Sequence, residues 1–409
     1  MKITSFMLIV FMLTACKSHK NTTMPSDVQP SKYTIEALAE SNNLFAVDLL
    51  KQIQSKSENL IFSPYSIGTV LAMIYSGSGG KTAEEISEVL YFPQQALLDP
   101  VESGMRESME AADTMQGTDF RLANAIWAQE NFSFLPDYLD RVEKYYDATL
   151  SLVDFVETLN REKSRKKINH WVEEKTNSRI RDLIQPGILD ASTRMVLTNA
   201  IYFNGSWMFP FDKAATSPSL FHSSNQESVK TDFMHQTRSY PYYEDEEIQA
   251  LNLPYKNNRM VLVVILPKST EGWRMISQVL SDERINLVLS GMETREVQLA
   301  LPKFRSELQI NLKKELTSMG MGTAFSRDAD LSGMTGEKNL YIDEVIHKAF
   351  IEVSETGTEA AAATAAIIGL KSSLRDDPVR FTADHPFIYF LLDSQTGCII
   401  FTGRLVKPS

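Results

Sequence analysis

Cysteine is almost missing: Cys16 and Cys398 are the only two in 409 residues. Two thiols cannot frame a disulfide-stapled fold or build a cysteine-ligated zinc site. Positive charge is also short. Lys and Arg number 41 against 52 Asp and Glu, a net charge of -11, so no phosphate-neutralising excess points to nucleic acid. Histidines stand at 19, 170, 222, 235, 347 and 385, with no H-x-x-x-H or other ligand spacing, and no metal or other cofactor is expected. No G-x-G-x-x-G follows a strand signal, and neither Ser76 nor Ser78 lies in G-x-S-x-G. Gly77-Ser78-Gly79-Gly80-Lys81-Thr82 looks like a phosphate loop but has Tyr75 where that pattern needs glycine, so it reads as a turn between helices. Nothing here points to an enzyme.

What is present is ordinary globular composition, 43% hydrophobic and 23% charged, which excludes a disordered chain. The start is an exception. Met1-Lys2 precedes an apolar stretch, Ile3 to Leu13, too short to span a bilayer as a helix; it reads as a signal-peptide core. Leu13-Thr14-Ala15-Cys16 resembles a bacterial lipobox, in which Cys16 is lipidated and becomes the new N-terminus. A plain secretory signal is the alternative. Several acyl chains on one residue, at ~0.8 kcal/mol per buried CH₂, would hold the protein on a membrane. Residues 1–15 are thus expected to be a lipoprotein leader and 16–34 a polar, flexible tether. The expected location is the outer membrane, on its periplasmic face or at the cell surface, or the extracellular space.

Residues 35–409 read as one unit, without linker, charge block or repeat. Helical periodicity runs through Thr34–Gln54, Ser66–Ser76, Thr82–Leu90, Tyr138–Tyr146 and Lys163–Thr176. Strand signals come later: Met260–Leu266, Val297–Leu301, and a hairpin of Phe387–Leu392 and Ile399–Phe401 around Asp393–Gly397. Helices first and strands later, without regular alternation, favour an α+β fold. Cys398 lies in an apolar run and reads as a core residue.

One segment is odd. From Thr358 to Ala366 six of nine residues are alanine. Propensity reads this as helix. Period two reads it as a strand whose one face, Thr358, Ala360, Ala362, Thr364 and Ala366, is small throughout and could slide between two existing strands. Gly357 would supply a hinge just before it. Glu355-Thr356-Gly357-Thr358-Glu359-Ala360-Ala361-Ala362 resembles the proximal hinge of the serpins, and Phe381-Thr382-Ala383-Asp384-His385-Pro386-Phe387-Ile388 resembles the signature that follows their reactive loop. Asn59 to Ser66, Ile168 to Val172 with Thr176 and Ile180, Leu197 to Phe203 with Gly205 and Trp207, Phe325 to Met334 and Ile346 to Ala349 are similar to further family segments, in collinear order.

The resemblance implies helices packed around three β-sheets, an exposed reactive-centre loop and a monomer. It implies a suicide-substrate inhibitor: a protease cuts the loop and becomes acylated, and the freed loop enters the central sheet and traps the acyl-enzyme. Glu355, Gly357, Thr358, Glu359, Ala360, Ala361, Ala362 and Ala363 are the implied hinge. The family spacing, seventeen residues from Glu355 inclusive, places the reactive bond at Lys371–Ser372. Lysine there suits the acidic pocket of trypsin-like proteases. Arg375, Leu370 and Ile368 are alternatives, the last two for elastase-, chymotrypsin- or subtilisin-like enzymes, and cysteine proteases also form acyl-enzymes. Lys303 and Trp207, with Glu355, match the breach where the loop enters. Ser63, Ser66, Asn199 and His347 match the shutter under the middle of the sheet. The alternative is a non-inhibitory serpin, a binding or carrier protein of the same fold.

Overall fold

The structure is a computed structural model that describes residues 33–113, 118–223, 228–274, 280–358 and 377–408. Its first third is mainly helical: α1 (Ile35–Ile53), strand β1 (Leu60–Phe62), α2 (Pro64–Ser76), α3 (Gly80–Leu90) and α4 (Gln95–Asp113). Then come β2 (Thr118–Gln129), α5 (Pro136–Tyr146), β3 (Thr149–Val153), α6 (Thr158–Lys175) and β4 (Met195–Ser206). Strands dominate the remainder: β5 (Ser217–His222), β6 (Ser228–Glu244), β7 (Ile248–Pro254) and β8 (Met260–Pro267). After α7 (Asp282–Ser290) follow β9 (Glu293–Pro302), β10 (Phe304–Asn311) and the short helices α8 (Lys313–Met319) and α9 (Ser332–Thr335). The chain closes with β11 (Glu344–Ser354), β12 (Gly357–Thr358), β13 (Val379–Thr382), β14 (Phe387–Asp393) and β15 (Cys398–Leu405).

Local chemistry sets the helix ends. Thr34 caps α1 by accepting from the Ala37 amide, and Ser63 caps α2 by accepting from the Ser66 amide. Helix α2 begins two residues before its expected start because Pro64 fits the first helical turn, where no N–H is needed. Helix α6 begins five residues early because the Glu157 carboxylate accepts from the Asn160 amide. Gly77–Gly79 is the turn between α2 and α3, as the missing glycine at 75 implies. Cys398 is fully buried, and burial pushes its thiol pKa well up.

Three sheets are expected, but among the described residues hydrogen bonding joins the strands into two, one of six and one of nine. The 17-residue β6 is the reason: it pairs with β5 over Ser228–Phe233, with β9 over Phe233–Tyr242 and with β7 over Tyr242–Glu244, so strands that would close two sheets share one ladder. The α+β class itself holds, although β2, β3 and β4 lie among the helices rather than after them.

The six-stranded sheet runs β10-β11-β12-β4-β2-β3. One face packs on α6 through Trp127, Phe155, Ile168, Val172 and Ile184, all buried. The other joins the main core with α1, α2 and the nine-stranded sheet. At the centre β11 and β4 run parallel, pairing Glu344–Ala349 with Val196–Ile201. Above that zone they are joined instead through β12, which pairs antiparallel with both. The sheet is therefore a fork, closed below and wedged open above by Gly357 and Thr358.

Candidate functional site

The residues of interest gather at two levels of this fork. At the top, Thr358 lies opposite Val353 of β11 and Gly205 of β4. Gly357 has φ 148°, and a Cβ there would meet the Gly205 carbonyl oxygen at 1.9 Å. Only glycine fits that position. The preceding turn is fastened by its backbone: the Trp207 amide donates to the Thr356 carbonyl at 3.0 Å and the Phe211 amide to the Glu355 carbonyl at 2.9 Å. Trp207 also donates from Nε1 to the Ser354 carbonyl at 2.9 Å.

Glu355 Oε1 lies 3.3 Å from Lys303 Nζ and accepts from Thr216 Oγ1 at 3.1 Å. Burial works against the carboxylate. Bonds from its own backbone N–H, from Lys303 and from Thr216, with the Lys303 charge, outweigh burial and hold the carboxyl below its usual range. Lys303 and Trp207 are thus brought together with Glu355 at the mouth of the fork. Thr216, Phe211 and Tyr255 share this place and carry no local sequence signal.

Six residues down β4, within the closed zone, lies a buried polar chain. The Ser63 amide donates to His347 Nε2 at 3.1 Å, so that nitrogen carries the lone pair. His347 Nδ1 therefore holds the proton and donates to Asn199 Oδ1. Asn199 Nδ2 donates to Ser66 Oγ at 2.6 Å and to Asn124 Oδ1 at 2.8 Å, and Ser66 Oγ donates to the same Asn124 oxygen at 3.1 Å. Ser63 Oγ donates to the Ile400 carbonyl at 2.6 Å. Ser63, Ser66, Asn199 and His347 thus meet in one network that spans α2, β4, β11 and β15. It is satisfied only with neutral imidazole: a second proton on Nε2 would face the Ser63 N–H, donor against donor. Burial accordingly pulls the His347 pKa down to about 3, against the raising effect of Asn199. Asn124 completes the network and is absent from the sequence reading. Its signal was an asparagine inside an apolar strand run, which needs partners when buried.

Glu359, Ala360, Ala361, Ala362, Ala363, Ile368, Leu370, Lys371, Ser372 and Arg375 lie outside the described residues, as does Cys16. Among the described residues no group of three or more metal-ligating side chains occurs, and no helix is long and apolar enough to cross a membrane.

A buried ion-paired turn thus feeds a two-residue wedge above a polar lock between parallel strands. The family model described as Serpin (serine protease inhibitor) matches residues 40–408. An uncharacterised serpin-like protein of Thermococcus kodakarensis is 38% identical over 404 residues, covering 96% of this chain and 93% of the relative. The leukocyte elastase inhibitor of Xenopus laevis is 38% identical over 383 residues, covering 91% of this chain and 100% of its own. The crystal structure of Serpin48, a highly specific serpin of the insect Tenebrio molitor, superposes with a TM-score of 0.81 at 34% identity, covering 91% of this chain and 98% of that one. The chain belongs to the serpin family.

Proposed function

We propose that the protein is a suicide-substrate protease inhibitor that traps an acyl-enzyme by drawing its cut loop into the fork between β11 and β4. The observation that carries this is the docked hinge. Gly357 and Thr358 already sit as the first two residues of an antiparallel strand between those strands. Thr358 is fully buried, and its neighbours Val353 and Gly205 keep the same offset of 148 as the parallel pairs below, such as His347 with Asn199. A continuing strand therefore needs no change of register. It would bring Ala360 opposite Ile351 and Phe203, Ala362 opposite Ala349 and Ile201, and Thr364 opposite His347 and Asn199. Every one of these inward-facing residues is small.

Energetics favour completion. One parallel pairing would be replaced by two antiparallel ones, which are the more stable per residue. About ten added ladder bonds at a net ~1 kcal/mol each release on the order of 10 kcal/mol, comparable to the whole stability of a domain. Insertion must break the His347–Asn199 bond, which makes the polar lock the barrier.

On this reading trypsin-like serine proteases cut at Lys371–Ser372, with Arg375, Leu370 and Ile368 as secondary bonds. The test is incubation with trypsin. An SDS-stable adduct and a released Ser372–Ser409 peptide are expected; a peptide starting at Asp376 moves the bond to Arg375. A cut loop with no adduct, across a panel that includes elastase-, subtilisin- and cysteine-type enzymes, returns the chain to the binding-protein reading. Export as a lipoprotein anchored at Cys16, with 16–34 as tether, belongs to the same proposal. It predicts fatty-acid labelling in cells that is lost in Cys16→Ala.

A further inference from the structure

The hinge threonine has a receptor in the other sheet. Tyr255 follows β7, is fully buried, and hydrogen-bonds Thr358 Oγ1 through its hydroxyl at 2.5 Å. Among the described residues each hydroxyl has the other as its one hydrogen-bond partner. The ring is held from several sides. Trp207 stacks on it at 4.5 Å and 19°, and Phe203 meets it edge-on at 4.9 Å. The Tyr255 amide donates to the Met260 carbonyl at 3.0 Å, and the Lys256 amide to the Ser206 carbonyl at 2.8 Å. Gly205 leaves room for it, since a Cβ there would stand 2.7 Å from Tyr255 Cδ1. A buried hydroxyl fixed this tightly cannot turn to another partner when Thr358 leaves.

We propose that the Tyr255 hydroxyl is a positioning group that recognises the Thr358 hydroxyl and keeps the hinge seated in the fork before the loop is cut. This deepens, and rests on, the inhibitor reading. Insertion competes with deacylation by water, and a loop whose first residue is already seated starts ahead in that competition. The recognition is for a hydroxyl rather than for bulk. Valine at 358 keeps the branched shape but leaves a buried hydroxyl unpaired, whereas serine keeps the bond.

The test reads the uncleaved protein first. Hydrogen–deuterium exchange of the Gly357 and Thr358 amides should speed up roughly five- to tenfold in Thr358→Val and in Tyr255→Phe, the effect of one lost hydrogen bond. The double variant should go no further, and Thr358→Ser should stay near wild type. Wild-type exchange in both single variants, or losses that multiply in the double, overturns the proposal. The second readout is the ratio of cleaved inhibitor to covalent adduct with trypsin, which should rise several-fold in both single variants while the rate of loop cleavage is unchanged. An unchanged ratio in variants with faster exchange removes Tyr255 from the trapping step. A wild-type protein that forms no adduct sinks the inhibitor reading instead, and leaves the exchange result to decide the seat alone.

Discussion

His347 is the residue whose ionisation should be felt by the whole fold. Its pKa is about 3 in the native network, against about 6.5 for a solvated imidazole. Between those values the unfolded chain binds more protons than the folded one. The His347 contribution to stability should therefore be full above about pH 6.5 and fall as pH drops through that window, whereas the buried Glu102 carboxyl, pushed up to about 7 by burial, contributes the opposite slope. Glu355, with its carboxyl held below the usual range, adds a loss of the same sign as that of His347 at the acid end. Urea unfolding at pH 7, 6 and 5 should show wild type losing stability relative to His347→Gln as pH falls, since Glu102 acts equally in both; an equal slope in the variant would remove His347 from the account. Thr358 gives a second test at this scale. Arginine there would bury an unpaired charge against Tyr255, so Thr358→Arg should be cut at the normal rate yet trap nothing. Inhibition at unchanged stoichiometry would exclude insertion.

At the scale of elements, the β14–β15 turn is clamped by an ion pair. Arg259 donates twice to Asp393, from Nε and Nη2 at 2.7 Å, and both residues are buried. Asp393 also accepts from Thr396 Oγ1 at 2.8 Å. Removing one partner strands the other charge, so Asp393→Asn should cost about 3 kcal/mol or more by urea unfolding. A loss below about 1 kcal/mol would show the pair to be solvated. This hairpin was legible in the sequence because strand, turn and strand are contiguous there. So were α1, α2 and α3, whose apolar spacing is regular. Helix α4 was not, because Pro100 interrupts its pattern. Strand β2 was not, because Asn124 falls in the same phase as Phe120, Leu122 and Ile126 and breaks its alternation. The fork was illegible for a deeper reason: His347 pairs with Asn199 across 148 residues, and nothing local encodes which strands meet. Lys303, Trp207, Ser63, Ser66, Asn199 and His347 came from likeness to a family, Asn124 carried a signal in its apolar surroundings, and Tyr255 needed coordinates.

For the whole molecule, the proposed inhibitor function requires a native state that is not the most stable arrangement of the chain. A single nick between residues 370 and 376 should let the segment after Thr358 enter and raise the melting temperature by roughly 10 °C, from on the order of 10 kcal/mol spread over a domain of this size. Calorimetry before and after nicking decides this, and an unmoved transition would falsify the stored-energy account. The lower ends of β4 at Met195 and β11 at Glu344 also give the fork a finite depth. Continuing the register from Thr358, the last seat falls at Ile367 or Ile368. Whatever chain remains between that seat and the cut is slack in the leash that holds a captured enzyme. At about 3.3 Å per residue, a cut after Lys371 leaves roughly 10 Å, and one after Arg375 roughly 23 Å. A longer leash deforms its captive less, so adducts made at Arg375 should hydrolyse sooner than those made at Lys371.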